Sequence, residues 1–200
     1  KVLLVIAVAV VTTVAAEFVC CTVMKRPTSI GDFSAVVTGL ILALSVPPSI
    51  PLWMVAIGSF VAIVVVKQLF GGIGQNLVNP AVTARIVLLI SFATEMTTWP
   101  VPRGAGNVDA VTGPTPLGVL SEGGQLPSNM DLFLGNVGGC IGEVSALALL
   151  IGGIFLIWRG IISWIIPVSF LGTVFILTLL IPGQDPIFHL CAGGLMLGAF

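Results

Sequence analysis

The chain has 200 residues, 57% of them hydrophobic and only 8% charged, with a formal net charge of -1. Soluble domains carry about a quarter of their residues as charges, so this chain cannot clothe a globule in hydrated side chains and reads as a multi-span membrane protein. No basic stripe is available to meet phosphates, which excludes nucleic acid as a partner.

A helix that crosses a bilayer needs about 20 apolar residues. Val2 to about Cys21 meets that length with Glu17 as its one charge, and Lys25 and Arg26 follow at once. The stretch from Lys1 to Ala16 mimics a signal peptide, with a positive start, an apolar run and small residues. Later segments are equally apolar, so it is read as an interior span. Ser34 to Val46 is shorter and ends at Pro47-Pro48, and Pro51 to Val66 closes on Lys67. Ala81 to about Thr94 carries Arg85 near its start, and a polar interval then runs from Glu95 to Asn136. Gly138 to Trp158 and Ile161 to Ile181 are joined by Arg159-Gly160, and a further helix opens at Ile187. The expectation is an all-α, polytopic helical bundle forming a single membrane-embedded domain over 1–200. It would hold about six full spans and part of a seventh, with a loop at about 95–137. The chain looks truncated at both ends.

Lys and Arg in short loops favour the cytoplasm. Lys25, Arg26, Lys67 and Arg159 collect on one side of this topology, and Lys1 and Arg103 on the other. The 95–137 loop is therefore expected on the extracytoplasmic side.

Two features suggest a transporter-like core. Gly39-Leu-Ile-Leu-Ala43 echoes Gly194-Leu-Met-Leu-Gly198, as an internal repeat would, and broken segments in related halves mark the central sites of transporters. Gly71 to Pro80 is rich in glycine and amides, and backbone that irregular is tolerated at membrane depth only where protein or water meets it. Gln75, Asn76 and Asn79 either satisfy a re-entrant turn or contact a ligand or cation.

Ionisable groups inside spans are functional candidates by default. Glu143, about five residues into the Gly138–Trp158 span, is the ion-coupling candidate; its plain alternative is a structural partner for Ser145 or a backbone group. Arg159 lies about 24 Å further along a helix, too far to pair with it. Glu17 is expected to pair with Lys25 or Arg26 or to snorkel. His189, the only histidine, either relays protons or is satisfied locally. The four cysteines, Cys20, Cys21, Cys140 and Cys191, contain no Cys-x-x-Cys pair and read as small hydrophobes.

The polar interval contains Asp109-Ala-Val-Thr-Gly-Pro-Thr115. By residue type alone this is a tight turn, because Gly, Pro and Asp dominate turns. Asp109-x-x-Thr112-Gly113-x-Thr115 also resembles the signal that flavin transferases read when they link FMN to threonine through a phosphoester. Together with Gly71-Gly-Ile-Gly-Gln-Asn-Leu-Val-Asn-Pro80, Met96-Thr-Thr-Trp-Pro100 and Gly31-Asp-Phe-Ser-Ala-Val-Val-Thr-Gly39, the chain resembles the D subunits of Rnf complexes. That family is related to the B subunits of sodium-pumping NADH:quinone reductases. Pro114 departs from it, standing where the signal usually has alanine.

The resemblance implies a flavin-carrying membrane subunit of an electron-transport complex. That complex would couple ferredoxin:NAD oxidoreduction to translocation of sodium ions or protons. FMN would be covalent at Thr115, with Asp109, Thr112 and Gly113 forming the recognition loop. Gln75, Asn76 and Asn79 are further cofactor-binding candidates, whose amides could hydrogen-bond a flavin ring or coordinate a cation, and a second, non-covalent flavin is the further cofactor considered. Implied partners are other membrane and peripheral subunits, a separate flavin transferase and the lipid bilayer. The implied location is the inner membrane of a prokaryote. The resemblance also implies two related halves. The rival reading is a channel or transporter for a small polar solute without redox chemistry. A hydrolase using Thr115 or Ser145 lacks the positioned base that nucleophilic catalysis requires.

Overall fold

The computed structural model describes residues 1–27, 29–100, 112–192 and 194–200. They form two compact units, Lys1–Thr98 and Trp99–Phe200.

The first unit begins with α1 (Val2–Val23), the one helix among the described residues that is both long and apolar enough to cross a membrane. Its apolar residues surround the whole cylinder, so polarity cannot choose the packed face. Size chooses it. The buried residues Val5, Ala9, Thr13, Glu17 and Cys21 recur every fourth position, and small side chains along such a stripe let neighbouring backbones approach. Gly39 on α2 (Ser34–Leu44) sits on that stripe. A Cβ added to Gly39 would lie 2.6 Å from Thr13 Oγ1 and 3.0 Å from the Ala9 carbonyl oxygen. The chain leaves α1 through a left-handed Lys25, with Arg26 N–H bonded back to Cys21 O at 2.9 Å. That pattern satisfies the last carbonyls of a helix.

After Pro51, α3 (Leu52–Phe60) continues without a break into π-helical turns over Val61–Gln68. The wide turns are closed by bonds from Leu69 N–H to Val64 O and from Gly72 N–H to Lys67 O. Segments of this kind are rare and concentrate at functional sites. The Gly71–Pro80 stretch is a non-helical connection in which Gly71, Gly72 and Gly74 hold φ of 117°, 99° and 78°, values that side chains with a Cβ rarely adopt. Asn79 then caps α4 (Pro80–Ser91), accepting from Ala81 and Val82 N–H at 3.0 and 3.3 Å, with Pro80 in the first turn. A short α5 (Ala93–Met96) completes the unit.

The second unit opens with a two-residue antiparallel ladder. In it β1 (Trp99–Pro100) pairs with β2 (Thr112–Gly113), Trp99 opposite Gly113. Helices α6 (Pro116–Ser121) and α7 (Asn129–Leu134) are single short elements. The longer α8 (Ala146–Trp158) and α9 (Ile165–Leu180) follow. Next come α10 (Pro186–Cys191) and α11 (Leu195–Ala199), which the sequence reads as one helix. Leu132, Phe188 and Ala192 form a small core under α7 and α10, with Leu120, Val137 and Cys191 packed against it.

The expected helices are present at the expected places, with two corrections. The span expected from Gly138 begins only at Ala146, where Ser145 Oγ accepts from Ala148 N–H at 3.3 Å. Gly138, Gly139 and Gly142 weaken helix propensity ahead of that cap, so Glu143 lies in a turn before α8 and not inside it. The apolar helices other than α1 are 10–17 residues long, shorter than the sequence suggests for full spans.

Candidate functional site

Polar chemistry gathers in three places, and the structure treats each differently. The first is in the unit Lys1–Thr98. Glu17 is fully buried, and its Oε1 accepts from Lys67 Nζ at 2.6 Å, Ser29 Oγ at 2.7 Å and Gln68 Nε2 at 3.0 Å. Lys67 is 1% exposed and also donates to Ser34 Oγ. Ser34 in turn donates to the exposed Asp32. The second oxygen of Glu17, Oε2, is buried without a hydrogen-bond partner among the described residues. Burial of a charge is costly unless it is paired, and here the pairing partner is supplied by the π-helical turns.

Glu17 is thus paired, as its place in an apolar span demands, but its partner is Lys67. Lys25 is exposed and Arg26 donates to Gln68 O at 2.9 Å. Lys67 is correspondingly no loop charge. The buried lysine drops out of the charge count on which the sidedness of the loops is based. The sequence offered one signal for this site, a lone glutamate in one apolar segment and a lone lysine closing another. Nothing in residue spacing joins them across 50 positions.

The amides of the Gly71–Pro80 connection lie in the same unit. Asn79 accepts from the start of α4. Asn76, oriented by its neighbours, donates to Val66 O and Gly72 O, both at 3.2 Å, and so closes the end of the wide helix. Gln75 is exposed. Two of the three therefore serve the backbone, as a structural reading of the stretch expects.

The second place is the loop that carries Thr115, in the unit Trp99–Phe200. Asp109 lies outside the described residues. Thr112 and Gly113 form β2, where the ladder to Trp99 and Pro100 fixes the approach to Pro114. Thr115 is the N-cap of α6, with φ of -62° and ψ of 160°. Its Oγ1 accepts from Gly118 N–H at 3.2 Å, and Pro116 takes the first helical position, where a missing N–H is no loss. Gly118 packs closely here, since an added Cβ would lie 3.0 Å from Pro114 Cβ, a tight contact, and 3.5 Å from Thr115 Oγ1. Pro114 is exposed, Thr115 half-buried and Pro116 buried. Both prolines line a cleft of about 310 Å³ shared with Val119, Gln125, Asn136 and Val137.

The third place is the turn before α8. Glu143 is half-buried and its Oε1 accepts from Cys140 N–H at 2.9 Å. Its other oxygen faces Gly194, where an added Cβ would lie 2.9 Å away, at the break between α10 and α11. The carboxylate thus lies between two irregular segments. His189 is satisfied locally, its ring nitrogen 2.6 Å from Gln184 Oε1 and its ring edge-on to Phe188. On the exposed rim of this unit, Ser128 and then Asn136 donate to Asp131 and hold its carboxyl below the usual aspartate range. The Asn129 amide does the same for Asp185 at 2.8 Å.

Thr115, Thr112, Gly113 and Glu143 share one unit, and Gln75, Asn76 and Asn79 belong to the other. A profile of the NQR2, RnfD and RnfE family matches residues 1–200. The chain is 51% identical, over 98% of its length, to the D subunit of the Na(+)-translocating ferredoxin:NAD(+) oxidoreductase complex of Acetobacterium woodii. It is 44% identical, over 96% of its length, to the D subunit of the proton-translocating ferredoxin:NAD(+) oxidoreductase complex of Clostridium ljungdahlii. It is also 38% identical, over 84% of its length, to the D subunit of the ion-translocating oxidoreductase complex of Ectopseudomonas mendocina. The chain spans 61%, 62% and 56% of the lengths of these relatives.

Proposed function

Because the chain belongs to the NQR2, RnfD and RnfE family, we propose that it is the membrane part of the D subunit of an ion-translocating ferredoxin:NAD oxidoreductase complex. In this reading FMN is joined to Thr115 through a phosphoester. A bound flavin supplies electron-transfer chemistry that amino acids lack, and the protein supplies position and surroundings. The other subunits of the complex and the flavin transferase are separate chains.

The observation that carries the flavin reading is how Thr115 is held. Its oxygen serves the fold as an acceptor, receiving Gly118 N–H, and that role uses a lone pair. No bond donated by its hydroxyl occurs among the described residues. Esterification replaces the hydroxyl proton and leaves a lone pair for the cap, so the group fits the residue without dismantling α6. The recognition roles of Asp109, Thr112 and Gly113 and a second, non-covalent flavin near Gln75 belong to the same proposal. On a denaturing gel the full-length chain should fluoresce under ultraviolet light. Thr115→Ala should abolish that fluorescence and the added flavin mass, and a fluorescent Thr115→Ala band would refute the attachment.

The same reading puts the Thr115 loop on the extracytoplasmic face of a prokaryotic inner membrane, within a chain that crosses it several times. Lys25, Arg26 and Arg159 support this sidedness. A cysteine at the exposed Ser128, in a version without the native cysteines, should react with a membrane-impermeant thiol reagent in whole cells. Reaction only in broken cells would reverse the orientation. Glu143 is the proposed ion-coupling residue, since its carboxylate meets the discontinuity between α10 and α11, and broken helices line the central sites of transporters.

A further inference from the structure

Along the seam where α1 meets α3 and its π-helical extension runs a groove of about 340 Å³. Residue size makes it. Ala15 and Ala16 on α1 and Ala56 on α3 leave open a space that larger side chains would fill, while Val19, Phe60 and Val64 stand up as walls. The two helices are fastened beside this seam, where Ser59 Oγ donates to Ala9 O at 3.4 Å and Lys67 Nζ to Glu17 Oε1 at 2.6 Å. The walls therefore keep a set separation, and a preformed groove asks little ordering of what enters it.

Inside, the groove is apolar over about 12 Å of α1, from Thr12 to Cys20. The Thr12 hydroxyl turns back to the Val8 and Ala9 carbonyls, and no charged side chain lines the space. Sites for compact ligands add a few placed polar groups to such walls, and this one does not. Polarity stands at one end instead. Beyond Cys20, Arg26 N–H bonds to Cys21 O at 2.9 Å, and Arg26 Nη1 reaches across the seam to Gln68 O at 2.9 Å. Gln68 lies one turn past Val64, so the guanidinium bridges the same two helices that form the groove. Arg26 and its neighbour Lys25 are both exposed, and neither forms an ion pair among the described residues.

We propose that this seam binds an anionic phospholipid, with an acyl chain in the groove and the phosphate on Arg26 and Lys25. A guanidinium carries five N–H donors. The bond to Gln68 O uses one of them, and the fork that remains matches phosphate oxygens. Basic pockets between spanning helices take anionic head groups in this way. A protein helix laid in the groove would leave two positive charges still to be matched, whereas a phospholipid brings hydrocarbon and negative charge in one molecule. The site is separate from the flavin reading, because Thr115 belongs to the other unit.

The test uses the full-length chain in detergent, titrated with phosphatidylglycerol or with phosphatidylcholine of identical acyl chains, and counts bound lipid by native mass spectrometry. The anionic lipid should bind at least about five-fold more tightly, the effect of one basic residue beside an anionic head group. Arg26→Gln should remove most of that preference. Lys25→Gln changes a side chain with no bond among the described residues, so it guards against misfolding, and it should lower the preference too. Ala15→Leu, at an exposed position, fills the groove and spares the charges, so it should weaken both lipids alike. Phosphatidylglycerol with a photoreactive group in its acyl chain should label peptides that contain Val19 or Phe60. Equal binding of the two lipids overturns the proposal, and so does Ala15→Leu binding as tightly as the parent. Labelling confined to other surfaces, as when another helix occupies the groove, overturns it as well.

Discussion

The two units handle polar groups in opposite ways. In Lys1–Thr98 one pair of opposite charges is drawn inside and neutralises itself, with Glu17 and Lys67 both essentially without solvent exposure. In Trp99–Phe200 the carboxylates Asp131, Asp185 and Glu143 are bound by neighbouring hydroxyl, amide or backbone groups at turns and helix ends. A buried pair fixes how α1 packs against α3 and its π-helical extension. Caps and turns on a rim leave side chains that can be chemically modified without opening a core. The difference suggests a division of labour within one apolar chain, with polarity supporting the fold in one unit and reachable for chemistry in the other.

The sharpest way to break this contrast is to strand one member of the buried pair. Lys67→Met should destabilise the first unit by about 3–5 kcal/mol, the usual effect of leaving a buried charge without its partner. Joining it with Glu17→Gln should recover more than half of that loss, as read by thermal denaturation in detergent. Equal stability of the Lys67→Met chain and its parent would mean that the pair does not hold the unit together.

A smaller effect separates the packing of the two units. Gly39→Ala forces a methyl group against Thr13 and the α1 backbone and should cost about 1–3 kcal/mol, as overpacking does. Gly152 in α8 has nothing within 4 Å of an added Cβ, so Gly152→Ala should be neutral or stabilise by up to about 1 kcal/mol. If both substitutions give the same melting temperature, the close approach at Gly39 is not what packs α2 on α1.

The smallest structural change is expected at Glu143. Glu143→Gln keeps an oxygen for Cys140 N–H, and stability should stay within about 0.5 kcal/mol, as for most substitutions outside a core. Flavin attachment should also persist. Ion-linked turnover of the assembled complex should fall by about tenfold, equivalent to about 1.4 kcal/mol in a barrier. Turnover equal to the parent would make Glu143 a structural residue and move the search for coupling to Gln75–Asn79.

Much of the helical skeleton was legible because hydrophobicity and end signals are local. Val2 and Ser34 begin helices as read, and Asn79-Pro80 opens α4 with a cap and an N1 proline that sequence patterns favour. The late start of α8 also had a local sign in Ser145 and the glycines before it, which the apolar run concealed. The division between α10 and α11 was hidden in the same way. The Glu17–Lys67 pair was not legible, because it depends on two segments meeting across 50 residues and on a helical pitch that spacing rules do not anticipate. At Thr115 the motif pointed to the residue, whereas the cleft needed folded coordinates to bring Val119 beside Val137.

The wide turns of Val61–Gln68 carry a constraint on chain length. A π-helical stretch holds more residues per turn than an α-helix, so the direction in which Lys67 points depends on how many residues precede it. Adding one residue to this segment would turn everything beyond it by most of a right angle around the axis and carry Lys67 away from Glu17, whereas removing one would let the wide turns relax to α-helical pitch and leave the direction of Lys67 nearly unchanged. The segment should therefore accept exchanges among Val, Ile and Ala, and even a single deletion, more readily than a single insertion. What it preserves is a direction.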